Sequence, residues 1–321
     1  MFPSVAVLMA VFNEASSIDA SLASLAAQDY VGPWELLVAD GGSTDGTVDL
    51  LGDWSETLRL RIFDNPDRLQ SKGLNLLADV ATADILIRAD AHTTYATDYV
   101  RRSVEALLDT KASAVGGPMR AEATSRFGRA VARAYRSKLG IGPAPFHHSD
   151  ENVEADTVYL GAMSRQTYLD HGGFRTMPSG VAEDADFYFR LRQGGGRVMV
   201  VPAIRSSYRP RETVAALWRQ FYRYGLGKTD MLYINRAFPS WRPLAPLALV
   251  VGLIGLIVVG LIQGSWLPLL LLLAAWLTVL LISAQGNLLG VCATAIMHLA
   301  YGLGLIRGLV RSPAAVRAAV G

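Results

Sequence analysis

The chain has 321 residues, a net charge of +2 and a single cysteine, Cys292. That length accommodates one large domain and a further segment. The near-neutral charge argues against nucleic acid as a partner, and one cysteine excludes both an internal disulfide and a cysteine-based zinc site.

Strand-like and helix-like segments alternate through the first 120 residues. Helical spacing marks segments 17–28, 47–54, 70–82 and 97–109. This alternation predicts an α/β domain with a Rossmann-like, mixed but mostly parallel sheet and crossover helices. The part from about 121 to 210 is less regular, and "GIGPAPFHH" predicts loops over a site. The predicted strands are 4–12, 34–40, 58–64, 84–90 and 112–117.

Polar sequences follow the first four predicted strands. In open α/β sheets, ligands bind beyond the carboxyl ends of the strands, so we expect a binding site there. The four sequences are "FNE", "DGGSTDGT", "DNPDRLQSKG" and "DAH".

The segment "VADGGSTDGT" ends the second strand at Asp40 and continues into a glycine-rich turn. Such a turn lets the backbone approach a ligand, and Ser43 or Thr44 could cap the following helix. The alternative is a well-capped turn in which Asp40 only accepts hydrogen bonds. Neither the dinucleotide fingerprint nor the P-loop motif is present in the sequence.

Two further pairs of residues suit a charged ligand. Arg68 and Lys72 are four residues apart, which predicts one helix face suited to an anion, although a solvated helix start would look the same. Asp90 and His92 are two apart after the fourth strand and could share Mn²⁺ or Mg²⁺, with the nitrogen ligand favouring Mn²⁺. The alternative there is a capping aspartate beside a surface histidine.

The sequence "EDADFYFRLRQGGG" begins a predicted amphipathic helix with Glu183 and Asp184. Acidic residues are common in the first turn of a helix because they complement its dipole. The functional alternative is a general base, which requires a carboxylate near an attacking hydroxyl.

A long stretch from Pro243 to Ile306 contains no Asp, Glu, Lys or Arg. It predicts membrane segments at about 244–262, 266–283 and 288–306. Upstream, "LWRQFYRYGLGK" predicts a basic, aromatic helix in the membrane interface. No signal peptide precedes the first strand, so we expect residues 1–210 on the cytoplasmic side.

Arginines on both sides of this stretch leave the number of crossings open. Arg236 and Arg242 precede it, whereas Arg307, Arg311 and Arg317 follow it, and both groups favour the inside of the membrane. Three crossings cannot satisfy both ends. An interfacial or re-entrant third segment would leave two crossings.

These motifs together resemble glycosyltransferase family 2, the inverting enzymes of the GT-A fold. Within that family the chain is similar to the succinoglycan-biosynthesis type of membrane glycosyltransferase. The likeness covers most of residues 4–230 in an ordered set of motifs. They are "VAVLMAVFNE", "ADGGSTDGT", "DNPDRLQSKGLN", "RADAH", "YLGAMSR", "EDADFYFRLRQGGGR" and "RQFYRYGLGK".

The resemblance implies three regions: a GT-A domain at 1–210, amphipathic interface helices at 211–242, and a transmembrane region with two or three helices and a short basic tail at 243–321. It implies a donor site in which Asp40 contacts the base. The implied donor-binding residues are Phe12, Asn13, Glu14, Asp40, Gly42, Ser43, Arg68, Lys72 and Asp90.

The resemblance also assigns the chemistry. Asp90 corresponds to the first carboxylate of the D-x-D motif and His92 replaces the second, so the pair is expected to bind Mn²⁺ or Mg²⁺. Asp184 matches the catalytic base, with Glu183 as its neighbour. The Q-x-x-R-W element is present with Tyr for Trp. The residues implied near the acceptor or diphosphate are Gly161, Ala162, Gln220, Arg223 and Tyr224.

The resulting prediction is an inverting, membrane-anchored hexosyltransferase of exopolysaccharide biosynthesis in a prokaryotic cell membrane. It would transfer one sugar from a nucleotide sugar, with UDP as the expected nucleotide, to a lipid-linked or polysaccharide-precursor acceptor. The alternatives are a processive polysaccharide synthase, whose channel an oligomer could complete, and a non-catalytic membrane scaffold. The sequence leaves the oligomeric state open.

Overall fold

A computed structural model describes residues 2–237 and 240–320. The predicted interface region 211–242 therefore includes two residues, 238 and 239, that lie outside the described residues. The strands are β1 (Val5–Val11), β2 (Trp34–Asp40), β3 (Leu60–Asp64), β4 (Ile85–Ala89), β5 (Thr93–Tyr95), β6 (Ala114–Gly117), β7 (Arg120–Ala121), β8 (Val153–Glu154), β9 (Tyr159–Ser164), β10 (Val198–Val200) and β11 (Ser206–Tyr208).

Helices alternate with these strands and then form the C-terminal third of the chain. They are α1 (Ile18–Ala26), α2 (Thr47–Trp54), α3 (Gln70–Val80), α4 (Tyr99–Thr110), α5 (Arg126–Tyr135), α6 (Pro145–His148), α7 (Arg165–Asp170), α8 (Glu183–Gln193), α9 (Val214–Asn235), α10 (Leu244–Gln263), α11 (Leu267–Ala284), α12 (Leu288–Leu309) and α13 (Pro313–Ala318).

The main sheet has eight strands in the order β3-β2-β1-β4-β9-β6-β10-β8. The first four are parallel neighbours, whereas β9 runs antiparallel to both β4 and β6. The expectation of a mixed, mostly parallel α/β sheet is confirmed. Because β1, β2, β3 and β4 point the same way, their carboxyl ends meet at one edge.

Both faces of the sheet are covered, as expected for parallel strands. Alternate residues of β1 enter two different core clusters. Val7 and Met9 pack with α1 and α4 on one face, whereas Ala6 and Leu8 pack with α3 and α8 on the other. Burial on both sides explains why β1 is apolar at every position.

Backbone contacts divide the chain into two compact units. The first contains the sheet and consists of residues 2–120, 145–176 and 183–209. The second consists of 121–144, 177–182, 210–237 and 240–320. It includes the short segment 177–182, which directly precedes Glu183 in the chain. The three-part division suggested by the sequence stays a prediction.

In the second unit, three of the described helices are long and apolar enough to cross a membrane: α10, α11 and α12. Helix α12 packs against α9 through glycines. The backbone at Gly225 of α9 lies against Tyr301 and Leu305, and Gly304 lies against Tyr222. A β-carbon at either glycine would overlap the facing backbone, so these two helices approach closely.

Candidate active site

The turn after β2 is built around the carboxylate of Asp40. Its Oδ1 accepts the Ser43 hydroxyl at 2.6 Å, and its Oδ2 accepts the backbone amide of Gly42 at 2.9 Å. Gly42 has a φ of +76°, which glycine adopts without steric cost. The Ser43 amide also donates to Asp40, at 3.0 Å from Oδ2 and 3.3 Å from Oδ1. A carboxylate offers about four acceptor sites, so these three donors leave Asp40 room for one more.

This turn is joined to the end of β1. The Asn13 side chain accepts the Thr44 amide at 2.9 Å, and the Asn13 amide donates to the Ser43 hydroxyl at 2.9 Å. The prediction that Ser43 or Thr44 caps the next helix is wrong. The N-cap of α2 is Gly46, which has no side chain, and it is Asp45 that accepts the Thr47 amide at the start of α2.

An exposed aromatic ring and a guanidinium group stand beside the turn. Phe12 is 43% exposed, and the guanidinium carbon of Arg68 lies 5.1 Å from its ring centroid. Such stacking favours a planar partner. The prediction that Arg68 and Lys72 share a helix face is wrong, because α3 begins at Gln70 and Arg68 precedes it with a φ of +54°. Lys72 is in α3 and exposed.

Asp90 lies directly after β4 and is held from both its backbone and its side chain. Its amide donates to the Tyr95 hydroxyl at 2.8 Å, and that hydroxyl donates back to the Asp90 carbonyl at 3.0 Å. Its Oδ1 accepts from the Gln70 side chain at 3.3 Å and from Arg88 Nε at 3.2 Å. The side chain is therefore oriented before any ligand binds.

The donor set at this position suits a divalent cation that is shared with a ligand. His92 lies two residues after Asp90, half-buried, with its Nδ1 3.7 Å from Glu14 Oε1. Within residues 2–237 and 240–320, no three His, Cys, Asp or Glu side chains are grouped so as to hold a metal by themselves. Mn²⁺ and Mg²⁺ commonly take one or two protein ligands and complete their shell with substrate phosphates, so the residues fit such an ion.

Arg88 is a buried charge on β4 that connects two acidic groups. Its Nη1 lies 3.6 Å from Glu183 Oε1, and its Nε contacts Asp90. Burial lowers the pKa of Arg88, but the nearby carboxylates of Asp90, Glu183 and Asp184 more than offset this and raise it above its usual value. Arg88 therefore stays charged and ties the end of β4 to the start of α8.

Glu183 and Asp184 begin α8 in different environments. Glu183 is 7% exposed, and burial together with the charge of Asp184 raises its pKa to about 7, against the opposing effect of Arg88. Asp184 is only half-buried, and its Oδ1 accepts the Ala185 amide at 2.7 Å. Asp184 thus keeps acceptor capacity toward solvent, whereas Glu183 faces Arg88.

Gly161 and Ala162 lie on β9 and are buried. A β-carbon at Gly161 would overlap the hydroxyl of Tyr188 from α8, so this glycine lets α8 pack closely on the sheet. The assignment of both residues to an acceptor or diphosphate site stays a prediction.

The remaining candidates, Gln220, Arg223 and Tyr224, lie on α9 in the second unit. The Gln220 side chain donates to the Tyr224 hydroxyl at 3.0 Å. Arg223 Nη2 donates to the carbonyls of Ser179 at 3.1 Å and Gly180 at 3.2 Å. Arg223 therefore holds the segment that leads into Glu183.

Comparison with known proteins identifies the family of this site. Residues 6–170, half of the chain, match the model described as Glycosyl transferase family 2. The chain belongs to glycosyltransferase family 2. It is 32% identical over 313 residues to the succinoglycan biosynthesis protein ExoA of Rhizobium meliloti (strain 1021), which covers 95% of this chain and 94% of that protein.

Two further proteins are similar to this chain at lower identity. The chain is 24% identical to a dolichyl N-acetyl-alpha-D-glucosaminyl phosphate 3-beta-D-2,3-diacetamido-2,3-dideoxy-beta-D-glucuronosyltransferase of Methanococcus voltae, over 80% of this chain and 82% of that one. The mannosyltransferase PcManGT of Pyrobaculum calidifontis, solved with GDP-Man and Mn²⁺, superposes with a TM-score of 0.68 at 22% identity, over 97% of this chain and 88% of that one. That superposition supports the GT-A fold.

Arg88 and Gln70 were not predicted as site residues from the sequence, although both contact Asp90. The sequence could have indicated Arg88, because a charged residue inside the apolar strand "ILIRA" needs an oppositely charged partner when it is buried. It could not have indicated Gln70, because a glutamine at the start of a helix is common.

The raised pKa of Glu183 predicts a pH-dependent stability. The pKa of the Glu183 carboxyl is about 4.5 in the unfolded chain and about 7 in the folded protein. Between these two values the folded state binds more protons than the unfolded state. The free energy of unfolding therefore falls as pH rises from about 4.5 through 7. Glu183→Gln removes this loss. Its unfolding free energy relative to wild type should rise by roughly 2 kcal/mol between pH 5.5 and 8.5.

Thermal unfolding of detergent-solubilised protein at both pH values measures this. Glu56→Gln, at an exposed glutamate, is the matched control and should show no such trend. A Tm difference between Glu183→Gln and wild type that is the same at both pH values would contradict the assignment.

Proposed function

We propose that this protein transfers one sugar, with inversion, from a nucleotide sugar to a lipid-linked or polysaccharide-precursor acceptor at the cytoplasmic face of the membrane. The observation that carries the proposal is the arrangement around Arg88. One buried guanidinium orients Asp90 on the donor side and Glu183 beside the half-buried Asp184. A donor-binding carboxylate and a candidate base are thereby held close to one guanidinium within one compact unit.

Asp184 is the general base in this proposal. A base must reach the acceptor hydroxyl from the face opposite the leaving group, and it needs a carboxylate oxygen open to an incoming ligand. Asp184 meets this requirement better than Glu183, which is buried against Arg88. As the proton moves from the hydroxyl to Asp184, the acceptor oxygen attacks the anomeric carbon and the nucleoside diphosphate leaves in one displacement.

The donor lies across the ends of β1, β2 and β4. Phe12 and Arg68 offer a stacking surface for the base, and the remaining acceptor capacity of Asp40 suits a base N–H. Lys72 is an exposed cation in the first turn of α3, where a diphosphate would gain from its charge. Asp90 and His92 would hold Mn²⁺ or Mg²⁺, which neutralises charge on the departing diphosphate.

The nucleotide and the acceptor are proposed from chemistry and from similarity. UDP is our expected nucleotide, although the PcManGT comparison makes GDP sugars the second class to test. A lipid-linked acceptor is consistent with the apolar helices that follow α9. The similarity to the succinoglycan biosynthesis protein supports a role in exopolysaccharide assembly.

A transfer assay tests this function. Purified full-length protein in lipid nanodiscs is given radiolabelled UDP- and GDP-sugars together with a membrane lipid extract, and label in the organic phase is measured. We expect Mn²⁺-dependent labelling from one donor, with a product extended by a single sugar. A ladder of longer products would favour the processive synthase, and no labelling by any donor would favour the scaffold.

Metal-dependent donor binding should depend on Asp90. Asp90→Asn is expected to weaken nucleoside diphosphate binding in Mn²⁺ by at least about tenfold, because it removes a charged ligand that Arg88 and Gln70 orient. Titration calorimetry with and without EDTA measures this. Asp109→Asn, at an exposed aspartate near the end of α4, is the matched control. Equal affinity in EDTA and in Mn²⁺ for the wild type would remove the metal from the proposal.

A further inference from the structure

The three apolar helices differ in how much of each is covered by protein. In an apolar stretch of 18 residues from each helix, 11% of the residues of α10 and 17% of those of α11 are buried, whereas 44% are buried in α12. A helix surrounded mainly by lipid exposes apolar side chains on all sides, as α10 and α11 do. Helix α12 therefore differs from the other two before any membrane is considered.

Residues before and after the apolar region contact each other, and these contacts show whether the number of membrane crossings between them is even or odd. The hydroxyl of Tyr233, which precedes α10, donates to the carbonyl of Leu309 at 2.8 Å. Asp230 of α9 is fully buried and forms an ion pair with Arg311, which follows α12. Residues on opposite sides of a hydrocarbon layer about 30 Å thick cannot make these contacts.

The chain must therefore cross an even number of times between Tyr233 and Leu309. Helix α9 does not cross, because it carries four charges within twelve residues: Arg219, Arg223, Lys228 and Asp230. Residues Tyr301 to Gly308 of α12 pack along α9. Because α9 is charged and lies outside the hydrocarbon layer, this part of α12 lies outside it as well.

Helix α12 also contacts the start of α10 and the second half of α11. Gly302 lies against the backbone of Pro246 and the side chain of Val250, both in the first two turns of α10. The hydroxyls of Ser283 and Thr294 are 3.4 Å apart, next to the last residue of α11. Trp276 of α11, two turns before the end of that helix, donates its indole N–H to His298 Nδ1 at 3.3 Å. From Thr294 to Gly302, helix α12 therefore passes from the last two turns of α11 to the start of α10, as a helix along the membrane surface would.

A polar contact in the middle of α12 supports the same placement. His298 Nε2 lies 3.0 Å from the carbonyl of Leu139 and 3.2 Å from that of Gly140, in a non-helical segment after α5. If α12 crossed the bilayer, this irregular backbone would be near its centre, where exposed peptide groups are costly. At the surface they remain hydrated.

We propose that α12 lies along the membrane surface and that the described part of the chain crosses the bilayer twice, through α10 and α11. The face of α12 that points away from the protein is an apolar lipid-contact surface containing Leu288, Leu289 and Cys292, all exposed. Such a helix buries its apolar face at the boundary of headgroups and acyl chains. Arg242 and Arg307, at opposite ends of the apolar region, are then on one side of the membrane, as the preference of basic residues for the inside requires.

Accessibility of single cysteines tests this topology. In the full-length Cys292→Ser background, one cysteine is placed at Glu56 in the sheet unit, at Ser265 between α10 and α11, or at Ala319 after α13; all three positions are exposed. A membrane-impermeant maleimide is applied to intact spheroplasts and to inverted vesicles. Retained donor binding shows that each variant is folded.

We expect the Glu56→Cys and Ala319→Cys variants to react in the same preparation, and the Ser265→Cys variant to react in the other. Reaction of Ala319→Cys together with Ser265→Cys would establish a third crossing and overturn the proposal. Reaction of all three in one preparation would also overturn it, since α10 and α11 would then not cross.

Discussion

Asp184→Asn is expected to lower kcat roughly 100-fold or more while leaving donor affinity nearly unchanged. The asparagine keeps the size of the side chain but cannot take the proton of the acceptor hydroxyl, and loss of a general base is usually of this magnitude. Asp184 is half-buried and its Oδ1 accepts the amide of its neighbour Ala185 on α8, so the donor side should be preserved. Single-turnover rates and donor titrations separate the two effects.

Glu183→Gln is the neighbouring control for this prediction. Glu183 faces Arg88 rather than solvent, so its neutral form should act through the position of Arg88 and lower kcat less than Asp184→Asn does. If Glu183→Gln abolishes transfer while Asp184→Asn reacts at the wild-type rate, the base is Glu183.

Arg311→Met is expected to lower the Tm by roughly 5–10 °C. Asp230 is fully buried on α9, accepts the Ser179 amide at 2.8 Å and pairs with Arg311. Removal of one partner leaves a buried charge, which usually costs about 3–5 kcal/mol, and each kcal/mol shifts the Tm of a protein of this size by roughly 2 °C. Thermal unfolding in detergent measures the change.

Two further variants are controls. One tests the effect of losing an exposed arginine, and the other tests whether the unpaired buried charge causes the loss of stability. Arg317→Met removes an exposed arginine of α13 and should change the Tm by less than about 1 °C, since such surface substitutions have small effects. The double variant Asp230→Asn/Arg311→Met should recover at least half of the loss, because no buried charge remains. A double variant as unstable as Arg311→Met would show that the lost packing of Arg311, rather than the buried charge, dominates.

The sheet was predictable because its signal is local. Strands such as Trp34–Asp40 are apolar on both faces and end in polar turns, and helix α2 was bounded correctly at Thr47 and Trp54. The error at Arg68 has a physical cause. Spacing of four residues cannot reveal that the backbone at Arg68 takes a positive φ and that the helix begins two residues later.

Contacts between residues that are far apart in the chain could not be predicted from the sequence. Arg88 meets Glu183 across 95 residues, and Asp230 meets Arg311 across the whole apolar region. Hydropathy recognised α12 as apolar but could not distinguish a helix that faces lipid from one that packs on α9, because both environments favour the same side chains. Only the three-dimensional contacts make that distinction.

The most direct test of the proposed chemistry is the anomeric configuration of the product. Full-length protein is incubated with the α-linked nucleotide sugar selected in the transfer assay, and the new linkage is assigned by NMR from the one-bond C–H coupling of its anomeric carbon. A single displacement assisted by Asp184 predicts a β linkage. An α linkage would contradict the account, because it requires two displacements or a different reaction geometry.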